Sequence, residues 1–124
     1  MTPPPPPPLN RIILYTRRMD EMIAFYTRPF GFQARRDPDD RIVTLAQPGG
    51  GTQLLLHPAA KSAREGQTAV KLVFDVADVP AFCAAAAKAG LMFGPLHAGD
   101  GYVFANAKDP AQNSISVSGR AVAR

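Results

Sequence analysis

The segment Asn10-Arg11-Ile12-Ile13-Leu14-Tyr15-Thr16-Arg17-Arg18-Met19-Asp20-Glu21-Met22-Ile23-Ala24-Phe25-Tyr26-Thr27-Arg28-Pro29-Phe30-Gly31-Phe32 changes its hydrophobic period once, and that change decides the fold. Up to Thr16 the residues form a short run rich in β-formers, which reads as a strand. Met19, Met22, Ile23 and Tyr26 then recur at three- and four-residue spacing. Asp20 and Glu21 suit the positive first turn of a helix and Pro29 closes it. Phe30, Gly31 and Phe32 turn the chain into a second strand reaching Arg36. Asp37 to Asp40 is a turn by composition, Arg41 to Ala46 a third strand, Pro48 to Gly51 another turn, and Thr52 to His57 a fourth strand. The order is βαβββ.

Beyond the polar connector Pro58 to Gln67 the same order begins again. Val70 to Val76 is strand-like, and Asp78 can cap a helix running to Ala89 before Gly90. Leu91 to Phe93, Tyr102 to Ala107 and Ser114 to Ser118 supply three more strands. A shift of sixty residues lays Arg11 on Lys71, Ile13 on Val73, Arg18 on Asp78, Met19 on Val79 and Met22 on Phe82. Element type and order match better than the residues do, as in a duplicated unit. The expected organisation is an arm at 1–8, followed by one α+β domain at 9–124 built from repeats at 9–58 and 68–119.

A chain of 124 residues can bury roughly two thirds of its unfolded surface without a metal or disulfide staple. One cysteine, Cys83, excludes an internal disulfide framework and fits a reducing compartment, with the cytoplasm as the default. No stretch approaches the ~20 apolar residues of a membrane span. A net charge of +4 raises nucleic acid as a partner, but the basic residues are scattered, with doublets only at Arg17-Arg18 and Arg35-Arg36, and tryptophan is absent. A solvated basic surface explains them without nucleic acid. Pro3 to Pro8 reads as an extended polyproline arm, either a tail or a ligand for a proline-binding adaptor.

Three motifs carry a family resemblance over Asn10 to Gly119. Phe25-Tyr26 stands a few residues before Phe30-Gly31-Phe32. Phe74-Asp75-Val76-Ala77-Asp78 spans the second strand-to-helix junction, and Asp109-Pro110-Ala111-Gln112-Asn113 the turn before the last strand. In these the chain resembles the vicinal-oxygen-chelate superfamily of glyoxalases, bleomycin resistance proteins and extradiol dioxygenases, with Phe30 in a leucine position and the glycine of the last motif replaced by Gln112. The resemblance implies two βαβββ modules forming paired half-barrels around a cleft that takes small molecules. It also implies homodimers, with the halves paired within one chain or exchanged between two.

In metal-dependent relatives, His or Glu ligands come from the first and last strands of each half. Carried over residue by residue, those positions fall on Arg11, Leu55, Lys71 and Ser116. Arginine and protonated lysine have no lone pair to give, leucine has none at all, and a serine hydroxyl is a poor ligand for zinc, nickel or iron. The chain's two histidines are His57 and His97 and its two glutamates Glu21 and Glu65, with His57 the best rescue because it shares a strand face with Leu55. We therefore expect no metal and no cofactor. A glyoxalase-type lyase and an extradiol dioxygenase are the alternatives, and both require a metal.

Arg11 and Lys71 are expected to place inside the cleft the positive charge a metal would supply, meeting an anionic ligand, with Asp75 offsetting part of it. The competing reading is that both side chains reach the rim and only solubilise it. Tyr15, Gln53, His57, Asn106, Ser114 and Ser116 are further lining candidates by alternation. His57, Tyr15 and Asp75 are the candidate acids or bases, although a lone histidine on a sheet is commonly a hydrogen-bonded structural residue. Tyr15 stands where some glutathione-using relatives carry an arginine, which lowers that substrate class. Bleomycin is cationic and fits a basic chain poorly. Cys83 and the methionines read as helix packing, and Gly49-Gly50-Gly51 as a turn instead of a phosphate loop, because a strand follows it. The expectation is a metal-free binder of a small polar or anionic molecule, acting by sequestration or by metal-independent acid/base chemistry.

Overall fold

Alternation of side chains along two outer strands sets the architecture. The computed structural model describes residues 6, 9–62, 64–67 and 69–122, so the proline arm apart from Pro6 lies outside the described residues. In chain order the elements are β1 (Arg11–Thr16), α1 (Met19–Thr27), β2 (Gln33–Arg36), β3 (Val43–Ala46) and β4 (Gln53–Pro58). They continue with β5 (Lys71–Asp75), α2 (Val79–Lys88), β6 (His97–Ala98), β7 (Val103–Lys108) and β8 (Ser114–Ser118). Two four-stranded sheets result, ordered β1-β4-β3-β2 and β5-β8-β7-β6. In each, the opening strand runs parallel to the closing one and the other pairings are antiparallel. The sixty-residue offset is kept by β1 and β5, by α1 and α2, and by β3 and β7, each pair starting sixty positions apart.

The helix starts differ in how they are held. Asp78 accepts from the backbone N–H of Ala81 at 3.0 Å, and Pro80 lies in the first turn of α2, so this end is capped as its residues predict. Arg18, in the equivalent place before α1, makes no side-chain cap and relies on Thr16, whose hydroxyl accepts from the Arg18 N–H at 2.9 Å. Strand β3 begins at Val43 and not at Arg41, because the Asp40 carboxylate accepts from the Ile42 N–H and keeps that stretch in the turn.

The strand expected at Leu91 to Phe93 is absent, and β6 forms later at His97–Ala98. Leu91 still donates its N–H to Ala86 at the end of α2, Phe93 packs into the core beside Phe82, and Pro95 has no N–H to give a ladder. Only Gly94 reaches β7, donating to the Asn106 carbonyl. Apolar composition was the reason to expect a strand there, and core packing claimed the same residues instead.

Both sheets turn their helix-bearing faces to a shared core. Met22, Tyr26, Phe32, Leu45, Leu54 and Leu56 form its first part, joined by Ala111 and flanked by Leu72 and Phe74 from the second half. Phe30 bridges to the other part by stacking on Phe74 at 4.1 Å between ring centroids and lying 5.6 Å from Phe82. Beneath these rings the buried Tyr26 hydroxyl donates to the buried carboxylate of Asp109 at 2.7 Å. The same carboxylate accepts from the N–H groups of Ala111 and Asn113 and from the Asn113 side chain, so its lone pairs are met. Burial first, and then the facing Asp109 charge, push the Tyr26 phenol above its ordinary range near 10.

Gln112 occupies the left-handed region at φ 69°, where the related motif has glycine. Its Cβ lies against Gly66 of the connector so closely that a Cβ on Gly66 would stand 2.7 Å away, and Gly66 itself has φ 78°. Only glycine fits at 66 while Gln112 stays.

Two outcomes follow for stability. Tyr26→Phe should cost about 1–3 kcal/mol, the range for a buried partner left short of a hydrogen bond. Because the folded phenol ionises later than the unfolded one, the wild type should lose stability as pH rises above about 10, by up to about 1.4 kcal/mol per pH unit from this group. Urea melts of both proteins between neutral and alkaline pH should show a shallower alkaline decline in the variant. Gln112→Gly should raise the melting temperature by relieving roughly 1 kcal/mol of left-handed strain, and Gly66→Ala should lower it, both readable by thermal denaturation.

Candidate ligand site

The faces turned away from the shared core are open. Along β1 the side chains of Arg11, Ile13 and Tyr15 are exposed while Ile12 and Leu14 pack inward, and along β5 the exposed set is Lys71, Val73 and Asp75. Ile13 at 45%, Tyr15 at 57% and Val73 at 57% are large exposed apolar or aromatic side chains on the edge strands β1 and β5.

Cross-strand register tells which residues share each face. On the first sheet Arg11 lies opposite Gln53, Ile13 opposite Leu55, and Tyr15 opposite His57. Leu55 continues to Thr44 and Thr44 to Arg35, so Arg35 joins the same face. This platform has an apolar middle, Ile13 and Leu55, with cations around it. On the second sheet one row runs Lys71, Ser114, Lys108, the next Val73, Ser116, Asn106, and the third Asp75, Ser118, Phe104, His97. This face carries Lys71 and Lys108 beside the half-buried Ser114, while Ser116 and Ser118 are buried.

The hydrogen bonds of these side chains are few. Lys71 Nζ donates to Asn106 Oδ1 at 3.0 Å and Lys108 Nζ to Ser114 Oγ at 2.9 Å. Ser116 is buried and its hydroxyl donates to the Ala105 carbonyl. His57 Nδ1 lies 2.8 Å from the Pro58 carbonyl, and its ring sits 5.0 Å from that of Tyr15. The ion pairs found among the described residues join Arg17 to Glu65, Arg18 to Glu21 and Arg36 to Asp20, so no carboxylate there neutralises Arg11, Arg35, Lys71 or Lys108. Asp75 shares a face with Lys71 but makes no ion pair with it.

A cavity of about 500 Å³ is lined by Lys71, Val73 and Asp75 together with Gln47, Thr52 and Phe32. From β1 it takes Ile12, and Arg11 does not line it. Arg11 and Lys71 therefore lie on different open faces, Arg11 beside Gln53 and Lys71 beside Asn106 and Ser114. Tyr15 and His57 are brought together on the first face, and Asp75 stands apart on the second. Placing Arg35 needs the pairing of β2 with β3, which no local pattern supplies. Alternation counted outward from Asn106 would have found Lys108. Burial pushes the Cys83 thiol up, which weakens it as a nucleophile and agrees with a packing role.

The positions that carry metal ligands in metal-dependent relatives do not fit a metal here. Arg11 and Lys71 offer cations, Leu55 offers hydrocarbon, and the Ser116 hydroxyl is turned to a carbonyl. Among the described residues no group of three His, Cys, Asp or Glu side chains is placed to hold a metal ion.

Residues 9–117 match the family model of the Glyoxalase/Bleomycin resistance protein/Dioxygenase superfamily, and the chain belongs to that superfamily. No curated protein matches the sequence. Among solved structures the chain resembles UcmS2, with 20% identity, a TM-score of 0.75, and coverage of 92% of this chain and 98% of that one. It also resembles TnmS3, an antibiotic binding protein from Streptomyces sp. CB03234, at 20% identity, TM-score 0.72, with 90% and 93% covered. Lactoylglutathione lyase from Agrobacterium tumefaciens is similar at 22% identity, TM-score 0.68, with 93% and 95% covered. At such identities the likeness establishes the fold, and the chemistry has to come from the side chains. No helix among the described residues is long and apolar enough to cross a membrane.

Proposed function

We propose that this superfamily member works without a metal and binds a small polar or anionic organic molecule on its open sheet faces. The observation that carries the reading is the charge at the former ligand positions. Arg11 and Lys71 stand there, reinforced by Arg35 and Lys108, and no carboxylate among the described residues pairs with any of the four. Cations grouped on a partly apolar surface repel one another, and a carboxylate, phosphate or enolate relieves that repulsion through charge-assisted hydrogen bonds. Sequestration is the first mode, supported by the likeness to an antibiotic binding protein. Acid/base chemistry by His57 and Tyr15 is the second, supported by their contact on the first face.

A second copy of the chain completes the cleft in this reading. Each open face leaves apolar side chains half exposed, and two such faces together would enclose a small molecule as one face does not. Because both faces are basic, an anion held between them strengthens their association. The protein acts in the cytoplasm, in keeping with its single unpaired cysteine.

Thermal melts of the wild type against a panel of small carboxylates and phosphates should show selective stabilisation, reduced in Arg11→Ala and in Lys71→Ala. Chelator treatment should leave the stabilisation unchanged. Equal responses in wild type and variants would remove the cationic site. One tightly held transition ion per chain in freshly purified protein would restore the metal-dependent lyase and dioxygenase readings. Light scattering should find a dimer whose dissociation constant falls when a stabilising anion is added, and Ile13→Glu should weaken it at least tenfold; a monomer at all concentrations would refute the composite cleft.

A further inference from the structure

At the end of the first open face, a cavity of about 450 Å³ is lined by Tyr15, Arg41, His57, Pro58, Ala59 and Ala60. It stands apart from the Lys71 cavity and contains the one histidine of that face. The Pro58 carbonyl can only accept, so the 2.8 Å contact requires that His57 Nδ1 carry the proton. The segment is pinned, because the next residue, Ala59, donates its N–H to the Thr16 carbonyl at 3.0 Å. A neutral His57 is thereby left with its lone pair on Nε2, the nitrogen remote from the backbone. Tyr15 lies 5.0 Å from the imidazole with its plane tilted by 48°, giving the cavity an aromatic wall. Arg41 lines it too, and no carboxylate among the described residues lies within ion-pair distance of its guanidinium. The ionisable groups lining the cavity around His57 are Tyr15 and Arg41.

We infer that this pocket binds an aromatic hydroxy compound, a phenol or similar weak acid, through Nε2 of His57, with Arg41 holding the resulting oxyanion and Tyr15 the ring. The ligand's O–H bond breaks, its electron pair stays on oxygen, and the proton forms an N–H bond at Nε2. An imidazolium and a phenolate are left side by side, the phenolate facing Arg41. No further reactant is needed, and the step reverses on release. The inference rests on the reading of the open face as a ligand surface and narrows the ligand class to acids with a ring.

The test uses 4-nitrophenol, whose ionised form is coloured, and 4-nitroanisole, the same ring without the acidic hydrogen. Wild-type protein should bind the phenol at least tenfold more tightly than the ether, and the bound phenol should ionise at a lower pH than the free one. His57→Gln, which can accept a hydrogen bond but takes no proton, should retain binding and show a smaller shift in ionisation, the remainder coming from Arg41. His57→Phe should reduce the preference for the phenol over the ether to the part that Arg41 supplies, and Arg41→Gln should weaken phenol binding about tenfold. Nitrogen-15 shifts of neutral His57 should report a proton on Nδ1. Equal binding of the two probes, indifference to His57 and Arg41, or a proton on Nε2 in the free protein would each overturn the inference. If the carboxylate panel still stabilises the wild type through Arg11 while the phenol ignores His57, only this pocket assignment fails; if neither class of compound binds, the anion-binding reading fails with it.

Discussion

Tyr26 and Asp109 stand 83 residues apart in the chain and meet in the interior through a single hydrogen bond from hydroxyl to carboxylate. A buried carboxylate is costly unless every lone pair is met, and Asp109 meets its own with two backbone N–H groups, one amide and one phenol. The helix of the first half and the final turn of the second are thereby held in one arrangement. The aromatic contacts of Phe30 with Phe74 and Phe82 pack around the same junction and add apolar burial to a polar anchor. With the helix-bearing faces committed to each other, the opposite faces of both sheets can only look outward.

That outward orientation is what makes the surface chemistry unusual. In metal-dependent relatives a divalent ion would concentrate charge at one point between the halves. Here the charge is spread as arginines on a face with an apolar middle and lysines beside Ser114 and Asn106 on the other. In the function proposed above, a spread of cations grips an anion without polarising it as strongly as a metal would, which favours holding a molecule over breaking it. His57 is the exception, because its tautomer is set by the backbone and its free nitrogen is aimed away from that contact.

Much of this was legible in the residues. A period change recurring at a sixty-residue interval predicts strands at Asn10 to Thr16 and Val70 to Val76, each followed by a helix, and β1 and β5 open one residue later, at Arg11 and Lys71. The Asp78 cap was equally plain, because the capping bond is local. Leu91 to Phe93 forms no strand, since apolar composition does not distinguish a strand from a segment folded into the core, and Pro95 has no N–H for a ladder. Tyr26 and Asp109 were recognised as motif residues, but nothing in either motif says that they bond to each other. The face of Arg35 depends on the register of β2 against β3, and Arg41 lies in a turn that composition assigns to a strand, so neither place follows from the residues alone.

The amino-acid sequence by itself determined the two βαβββ units, their order and the superfamily, and its resemblance to metal-dependent relatives carries their ligand positions onto Arg11, Leu55, Lys71 and Ser116. These depend on local periodicity and on residue chemistry, which do not change with distant neighbours. Tertiary structure alone decided that Arg11 and Lys71 belong to separate faces, that Arg35 joins the first of them, and that His57 shares a pocket with Arg41. Strand register and the packing of one half on the other are long-range properties, set by the burial of Phe30, Tyr26 and Asp109 together, and no local pattern encodes them.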